Sequence, residues 1–122
     1  MASTREASGI GVSPGLGHGE LHVDVDDALD AIDEGRPVVL ALEVSSPSDV
    51  PAMTAASAII SAGGDAHSHA AIVANAAGVP AVVGVSGLSV GSGGIQIDGA
   101  VIAVGQELTV DGDTGTLRWS AP

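Results

Sequence analysis

Residues 63 to 84, GGDAHSHAAIVANAAGVPAVVG, carry the residue types and spacing that point most directly to chemistry. They place His69 between a loop that contains glycines and a short apolar segment with the character of a helix. The first amides of a helix have no intrahelical partners, and they form a positive terminus that favours anions. Neutral imidazole has a nucleophilic ring nitrogen near physiological pH. The pattern therefore predicts that His69 accepts and releases a phosphoryl group.

The element that must position His69 is a helix over residues 70–77. This stretch is rich in alanine, and Gly78 and Pro80 follow it as stop signals. Ser68 is the expected N-cap, whose hydroxyl would accept a hydrogen bond from the N–H of residue 70 or 71. Residues 81–84 then read as a short buried strand. The predicted unit is strand, glycine loop, helix and strand.

The segment resembles the signature of a known family, the swivelling phosphohistidine domain of phosphoenolpyruvate-utilising enzymes. These include pyruvate phosphate dikinase, phosphoenolpyruvate synthase and the first enzyme of the bacterial sugar phosphotransferase system. The family pattern is roughly G-I-V-T-x-x-G-G-x-T-S-H-A-A-I-V-A-R-x-x-G-I-P-A-V-V-G, and its histidine falls on His69. GIGVSPGLGHGEL (9–21) and LTVDGDTGTL (108–117) resemble the family's opening and closing segments. LEVSSPSDVPAM (42–53) resembles its T-x-P-x-D-V-P-x-M segment.

The resemblance implies a phosphoryl-carrier domain, a component of a phosphotransferase that needs partner domains for activity. His69 would take phosphate from ATP or phosphoenolpyruvate and pass it on between separate active sites. The residues expected to support the phosphate are Gly63, Gly64, His67, Ser68 and Ala70. The implied partners are a nucleotide-binding domain and a phosphoenolpyruvate/pyruvate-binding domain, on another chain or on a missing part of this one. No cofactor is expected on this domain, and Mg²⁺ would belong to the partner sites.

Three positions depart from the family pattern. Without gaps, Asp65 stands at the second loop glycine, His67 at the threonine, and Asn75 where an arginine is usual. Asn75 cannot supply the positive charge of that arginine, whereas His67 can replace the hydroxyl if it donates a proton. A second register keeps Gly63 and Gly64 as the glycine pair and inserts one residue before His67. A non-catalytic relative, used for regulation or protein contact, therefore stays open.

A metal site is another alternative for the same residues. Asp65, His67 and His69 alternate as D-x-H-x-H. In an extended stretch their side chains would project to one side, where they could bind Zn²⁺ or a similar ion. No fourth ligand is evident in the sequence, and His69 reads better as helical.

Composition limits the partners and the compartment. Three arginines stand against fifteen acidic residues, a formal charge of −12 that argues against binding to nucleic acid or to anionic lipid. There is no cysteine, so disulfides and thiolate chemistry are excluded. No apolar run reaches the roughly 18 residues that cross a bilayer, so the sequence predicts a soluble cytoplasmic protein.

The remaining elements predict an α/β fold of mixed sheets with few short helices. Residues 1–8 read as a flexible lead-in, and residues 9–122 as a single domain. An acidic helix is expected over residues 26–34, and buried strands over 37–44 and 58–61. Hairpins are expected at Asp98-Gly99 and between 108–111 and 116–119, whereas residues 86–94 are expected to form a loop, rich in glycine and serine and without a strong pattern. His18 and His22 are expected to be exposed. The family's three-layer β/β/α swivelling domain agrees with these elements.

Overall fold

The computed structural model describes residues 3–121, which form two β-sheets and a set of short helices. The strands are β1 (Ser3–Ser8), β2 (Ile10–Ser13), β3 (Leu16–His22), β4 (Val38–Leu42), β5 (Ala58–Ser61), β6 (Ala81–Val83), β7 (Leu88–Gly91), β8 (Gly94–Ile97), β9 (Ala100–Ala103), β10 (Glu107–Asp111) and β11 (Thr116–Ala121). The helices are α1 (Val25–Asp33), α2 (Val50–Ala55), which follows a 3₁₀ turn at Pro47–Asp49, and α3 (His69–Ala77).

The larger sheet is mixed and has eight strands in the order β1-β11-β10-β3-β4-β5-β6-β2. Its central strands β3, β4, β5 and β6 run parallel, and the other pairings are antiparallel. The smaller sheet is the antiparallel array β7-β8-β9. Because the carboxyl ends of parallel strands lie at one edge of a sheet, the segments after β4, β5 and β6 meet at that edge.

Two hydrophobic clusters define three layers. On one face of the larger sheet, Val39, Ala41 and Ile60 pack with residues of the smaller sheet, including Ile95 and Ile102. On the other face a second cluster joins the sheet to α1, α2 and α3. Strand β4 is buried along its whole length and alternates between the two clusters, as expected for a strand covered on both faces. The predicted α/β fold with a β/β/α arrangement is confirmed.

The helices are short, and each contributes buried residues to the core. Helix α1 begins at the cap Asp24, whose side chain accepts a hydrogen bond from the N–H of Asp27 at 3.0 Å, and it buries Ala28 and Ala31. Two acidic residues lie in its first turn, where the helix dipole favours them. No helix within residues 3–121 is long and apolar enough to cross a membrane.

Several predicted elements are confirmed close to their expected bounds. Helix α1, strands β4 and β5, and the helix after His69 all occur. The Asp98-Gly99 turn joins β8 to β9, and the second hairpin pairs β10 with β11. Within the described residues, local pattern therefore located most of the central elements.

Three expectations are wrong. Residues 3–8 are not a flexible lead-in but form β1, which pairs with β11 over six residues. Residues 88–91, inside the stretch without a pattern, form β7. His22 is buried, with Nε2 2.9 Å from the carboxylate of Glu20, because β3 continues under the helical layer, whereas His18 is exposed as expected. Residues 1, 2 and 122 lie outside the described residues, so the outer domain bounds stay predictions.

Candidate functional site

The candidate site lies at the carboxyl edge of the parallel strands. After β4 the chain runs through Ser45, and after β5 it runs through Gly63 and Gly64 before α3 begins at His69. These segments are far apart in sequence, and they meet because β4 and β5 are adjacent and parallel. In open parallel sheets this edge is the usual location of a ligand crevice.

Helix α3 begins at His69 because Ser68 caps it. Ser68 has an extended backbone conformation, and its hydroxyl oxygen accepts a hydrogen bond from the N–H of Ala71 at 3.4 Å. The same hydroxyl donates to the carbonyl oxygen of Asp65 at 2.7 Å, which ties the cap to the preceding loop. The helix ends at Gly78, whose φ of 71° is left-handed. The predicted cap and stop signals are both confirmed.

The imidazole of His69 is exposed, and one of its two ring nitrogens is engaged. Nδ1 lies 2.8 Å from the hydroxyl oxygen of Ser45. Within residues 3–121, Nε2 has no hydrogen-bond partner, and neither do the N–H groups of His69 and Ala70. The ring thus has one fixed nitrogen and one open nitrogen, and it stands at a helix terminus with free donors.

The glycine loop is fixed by main-chain hydrogen bonds. Gly63 donates to the carbonyl oxygen of Glu43 at 2.9 Å, and its own carbonyl oxygen accepts from Gly84 at 3.2 Å and from the Ser61 hydroxyl at 2.9 Å. Gly64 has a φ of 103°, and a Cβ at this position would lie 2.9 Å from the hydroxyl oxygen of Ser68. Glycine is required there for both conformation and space.

A small cavity opens between this loop and the helix. Its volume is about 40 Å³, enough to hold at least one water molecule. Its lining includes one histidine, three serines and the two loop glycines: His69, Ser45, Ser61, Ser68, Gly63 and Gly64. Hydroxyl groups and glycine main chain beside an exposed imidazole are suited to hold the oxygens of an anion.

The predicted site residues fall into two groups. Gly63, Gly64, Ser68 and Ala70 line the cavity together with His69. His67 is exposed and does not line it; its N–H donates to the Asp65 carboxylate at 2.8 Å. Among the described residues, His69 is therefore the one histidine that lines the cavity. No contact of the His67 side chain supports the prediction that it replaces the hydroxyl of the family's threonine.

The geometry of the metal alternative is not present. Residues 66–68 form a turn and bend, and His69 is already helical, so the three side chains do not project from one extended strand. The carboxylate of Asp65 instead accepts the N–H of His67. Among residues 3–121, no group of three or more histidine or acidic side chains is arranged to hold a metal ion. The described residues therefore do not form the extended D-x-H-x-H ligand set of the metal alternative.

Asn75 has a structural role at the position where the family pattern has arginine. Its side-chain amide donates to the carbonyl oxygens of Val12 at 2.6 Å and Ala71 at 2.9 Å, which ties α3 to the edge strand β2. Arg36 pairs with Glu20 at 2.9 Å, and Arg118 pairs with Glu6 at 3.0 Å. None of these four residues lines the cavity. The site is thus served by hydroxyls and main-chain donors, with no arginine in its lining.

Ser45 is the residue that sequence reasoning missed. It aligns with the threonine that opens the pattern T-x-P-x-D-V-P-x-M, so the pattern also has a hydroxyl residue at this position. That shared hydroxyl was a usable signal, but its partner was not evident because Ser45 and His69 are 24 residues apart. Only the parallel pairing of β4 and β5 brings the two side chains together.

Comparisons with known proteins agree with this arrangement. The family model described as "PEP-utilising enzyme, mobile domain" matches residues 34–115. The chain is 36% identical over 112 residues to pyruvate, phosphate dikinase of Rhizobium meliloti, a match that covers 90% of this chain and 12% of that protein. It is 40% identical over 110 residues to a probable phosphoenolpyruvate synthase of Pyrococcus horikoshii, covering 89% of this chain and 12% of that protein. The chain thus spans about an eighth of the length of these curated relatives.

A solved structure supports the fold alone. The crystal structure of Thermococcus kodakaraensis aconitase X, in its holo-form, includes a chain that matches with a TM-score of 0.57 and 19% identity. That match covers 97% of this chain and 99% of the other. The scaffold therefore also occurs in a protein with a different name, so the fold does not by itself define the chemistry. The family model and the curated relatives do define the lineage, and the chain belongs to the mobile-domain family of phosphoenolpyruvate-utilising enzymes.

Proposed function

We propose that this chain is a phosphoryl-carrier domain and that Nε2 of His69 is the phosphoryl acceptor. The observation that carries the proposal is the state of the ring: it is exposed at the start of α3, with Nδ1 bound by Ser45 and Nε2 open. A nucleophile needs a free lone pair and a partner that orients it. The Ser45 hydroxyl oxygen supplies that orientation when it accepts a hydrogen bond from the N–H at Nδ1, because this tautomer leaves the lone pair on Nε2.

The transfer step involves one bond formed and one bond broken. The lone pair of Nε2 attacks the phosphorus of ATP or phosphoenolpyruvate held by a partner domain, and the N–P bond forms. The bond from phosphorus to the leaving oxygen breaks, and its electron pair leaves with the nucleoside diphosphate or the enolate of pyruvate. The proton on Nδ1 stays on the ring and continues to donate to Ser45. The free N–H groups of His69 and Ala70 favour the negative charge of the attached phosphoryl group.

Partner domains would supply everything this chain lacks. With a formal charge of −12 and no arginine in the lining of the site, the domain has few means to bind a polyphosphate by itself. We therefore assign the donor and acceptor substrates to a nucleotide-binding domain and to a phosphoenolpyruvate/pyruvate-binding domain, in this protein or on another chain. Mg²⁺ would neutralise phosphate charge in those partner sites. The cytoplasmic location stays a prediction.

A non-catalytic role is the second candidate, and one observation favours it. Asn75 uses its amide to hold β2 against α3, so the position of the family's arginine has a structural use here and contributes no positive charge. A domain that keeps the fold but not the transfer would serve as a contact or regulatory module. The two candidates differ in whether His69 can carry phosphate at all.

Phosphorylation of the purified chain tests the proposal. The chain is incubated with labelled phosphoenolpyruvate or ATP together with candidate partner domains, and separately with phosphoramidate, a small chemical phosphoryl donor. We expect acid-labile, base-stable label at one site, absent in His69→Ala and retained in the matched control His67→Ala. Label that survives in His69→Ala would exclude the assignment. A folded wild-type chain that takes no label from any donor would favour the non-catalytic role.

A further inference from the structure

We propose that Glu43 is a positioning residue for the acceptor histidine and that its carboxylate fixes the chain segment that presents Ser45 to His69. The inference rests on the proposed function, and it assigns to Glu43 a role that no motif in the sequence indicates. Glu43 follows β4 directly and lies two residues before Ser45. It does not line the cavity, so any effect on the imidazole must act through the main chain.

The carboxylate of Glu43 binds the smaller sheet. Its Oε1 accepts the main-chain N–H of Val90 at 2.7 Å. Val90 lies in β7, which is an edge strand of the three-stranded sheet, so this N–H faces away from the neighbouring strand β8. A charge-assisted bond of this length is stronger than a bond between neutral groups, and it also satisfies an open strand edge.

The main chain of Glu43 binds the glycine loop. Its carbonyl oxygen accepts the N–H of Gly63 at 2.9 Å, and the hydroxyl oxygen of Ser61, which donates to Gly63, lies 3.3 Å away. One residue thus connects the smaller sheet, the end of β5 and the loop that borders the cavity. The side chain and the carbonyl group together fix the start of the segment that leads to Ser45.

The rest of the segment is held by hydrogen bonds because packing does not hold it. Val44, between Glu43 and Ser45, is 75% exposed. On the far side, the N–H of Ser46 donates to the carboxylate of Asp49 at 2.8 Å. The main chain on either side of Ser45 is therefore held by a carboxylate contact, that of Glu43 on one side and that of Asp49 on the other. We expect the loss of either contact to loosen the backbone of Ser45.

The position of Ser45 matters because its bond to the imidazole is short and directional. The distance from its hydroxyl oxygen to Nδ1 is 2.8 Å, and hydrogen bonds weaken steeply once the donor and acceptor move beyond roughly 3.2 Å or lose alignment. A shift of the Ser45 backbone by about 1 Å would therefore release Nδ1 and free the ring to rotate and to change tautomer. Glu43 prevents that shift.

The test compares the ring of His69 and its reactivity in a small set of variants. The ¹⁵N chemical shifts of the imidazole report its tautomer, and the rate of phosphorylation by phosphoramidate reports its reactivity without any partner domain. We expect Ser45→Ala and Glu43→Ala to change the ¹⁵N shifts in the same direction and to lower the rate by about tenfold. Glu43→Gln keeps an acceptor oxygen and is expected to restore most of the rate. Asp113→Ala removes one exposed carboxylate elsewhere and is the matched charge control.

A double variant separates positioning from a general structural effect. If Glu43 acts through Ser45, then Glu43→Ala adds no further loss of rate in the Ser45→Ala background. Val90→Pro deletes the N–H donor from the other side of the contact, at an edge position where proline is tolerated, and it should reproduce Glu43→Ala. Circular dichroism of each variant checks that it is folded.

The outcomes distinguish this inference from the function on which it rests. If Glu43→Ala behaves like Asp113→Ala in both ¹⁵N shifts and rate, the positioning role is overturned. Additive losses in the double variant would also overturn it. If the wild-type chain takes no phosphoryl group while Glu43→Ala still reproduces the ¹⁵N shifts of Ser45→Ala, the carrier proposal fails and the positioning role stands.

Discussion

Replacing the cap Ser68 by alanine tests how the start of α3 is held. The substitution removes two hydrogen bonds of different quality. The contact from the N–H of Ala71 is 3.4 Å long, so the cap is assigned the low end of its usual range, about 0.5 kcal/mol. The bond to the carbonyl oxygen of Asp65 is 2.7 Å long, and its loss is assigned about 1 kcal/mol. The expected decrease in the free energy of unfolding is about 1.5 kcal/mol.

That decrease can be measured in two ways. Urea denaturation should show a lower midpoint with an unchanged slope. For a domain of this length, about 4 °C of melting temperature corresponds to 1 kcal/mol, so Ser68→Ala should melt about 6 °C lower. Ser68→Thr keeps the hydroxyl and is expected to melt close to the wild type. Ser89→Ala removes an exposed hydroxyl from β7 and is the matched control.

Two results would refute this reasoning about Ser68. If Ser68→Ala loses less than about 0.5 kcal/mol, the cap and the bond to the loop do not hold the helix terminus. If Ser68→Thr is destabilised as much as Ser68→Ala, the hydroxyl group is not the cause of the effect.

Two further predictions concern the glycine loop and the dependence of stability on pH. Gly64→Ala should cost about 2 kcal/mol in the free energy of unfolding, since φ is 103° and the added Cβ meets an oxygen at 2.9 Å. Gly78→Ala has φ of 71° with no atom within 4 Å of the added Cβ, so it should cost about 1 kcal/mol by urea denaturation; equal costs would contradict the crowding at Gly64. The hydrogen bond from His22, followed by that from Arg36, lowers the pKa of Glu20 below its usual value of 4.5. Glu20 therefore contributes stability that is fully present above pH 4.5 and is lost as the pH falls through the lower pKa of the folded state. The difference in stability between wild type and Glu20→Gln should shrink as the pH is lowered below that value, and a difference that grows would contradict this assignment.

Local sequence was sufficient to predict the helix that begins at His69. An alanine-rich run, a serine before it, and Gly78 with Pro80 after it predicted α3 to within one residue. These signals depend on contacts within about four residues, and such contacts form in any context that allows a helix. The hairpins at Asp98-Gly99 and at residues 112–115 were predictable for the same reason.

Two strands, β1 and β7, were missed in the local sequence. The segment STREAS of β1 is polar and lacks a hydrophobic period, yet it pairs with β11 from the opposite end of the chain. The segment LSVG of β7 lies in a stretch rich in glycine and serine. Strand β1 is stabilised by main-chain pairing with distant residues, which leaves little trace in its own side chains, whereas β7 pairs with the neighbouring strand β8.

The sequence by itself determined the acceptor candidate, its helix and its family pattern, because those depend on residue types at short and fixed spacings. Only the tertiary structure decided which groups surround the imidazole. The parallel pairing of β4 with β5 brings Ser45 to Nδ1 of His69 across 24 residues. The turn before α3 directs His67 away from the cavity, and the contact with β7 fixes Glu43. These relations depend on the order of strands in the sheet, which no local spacing of residues encodes.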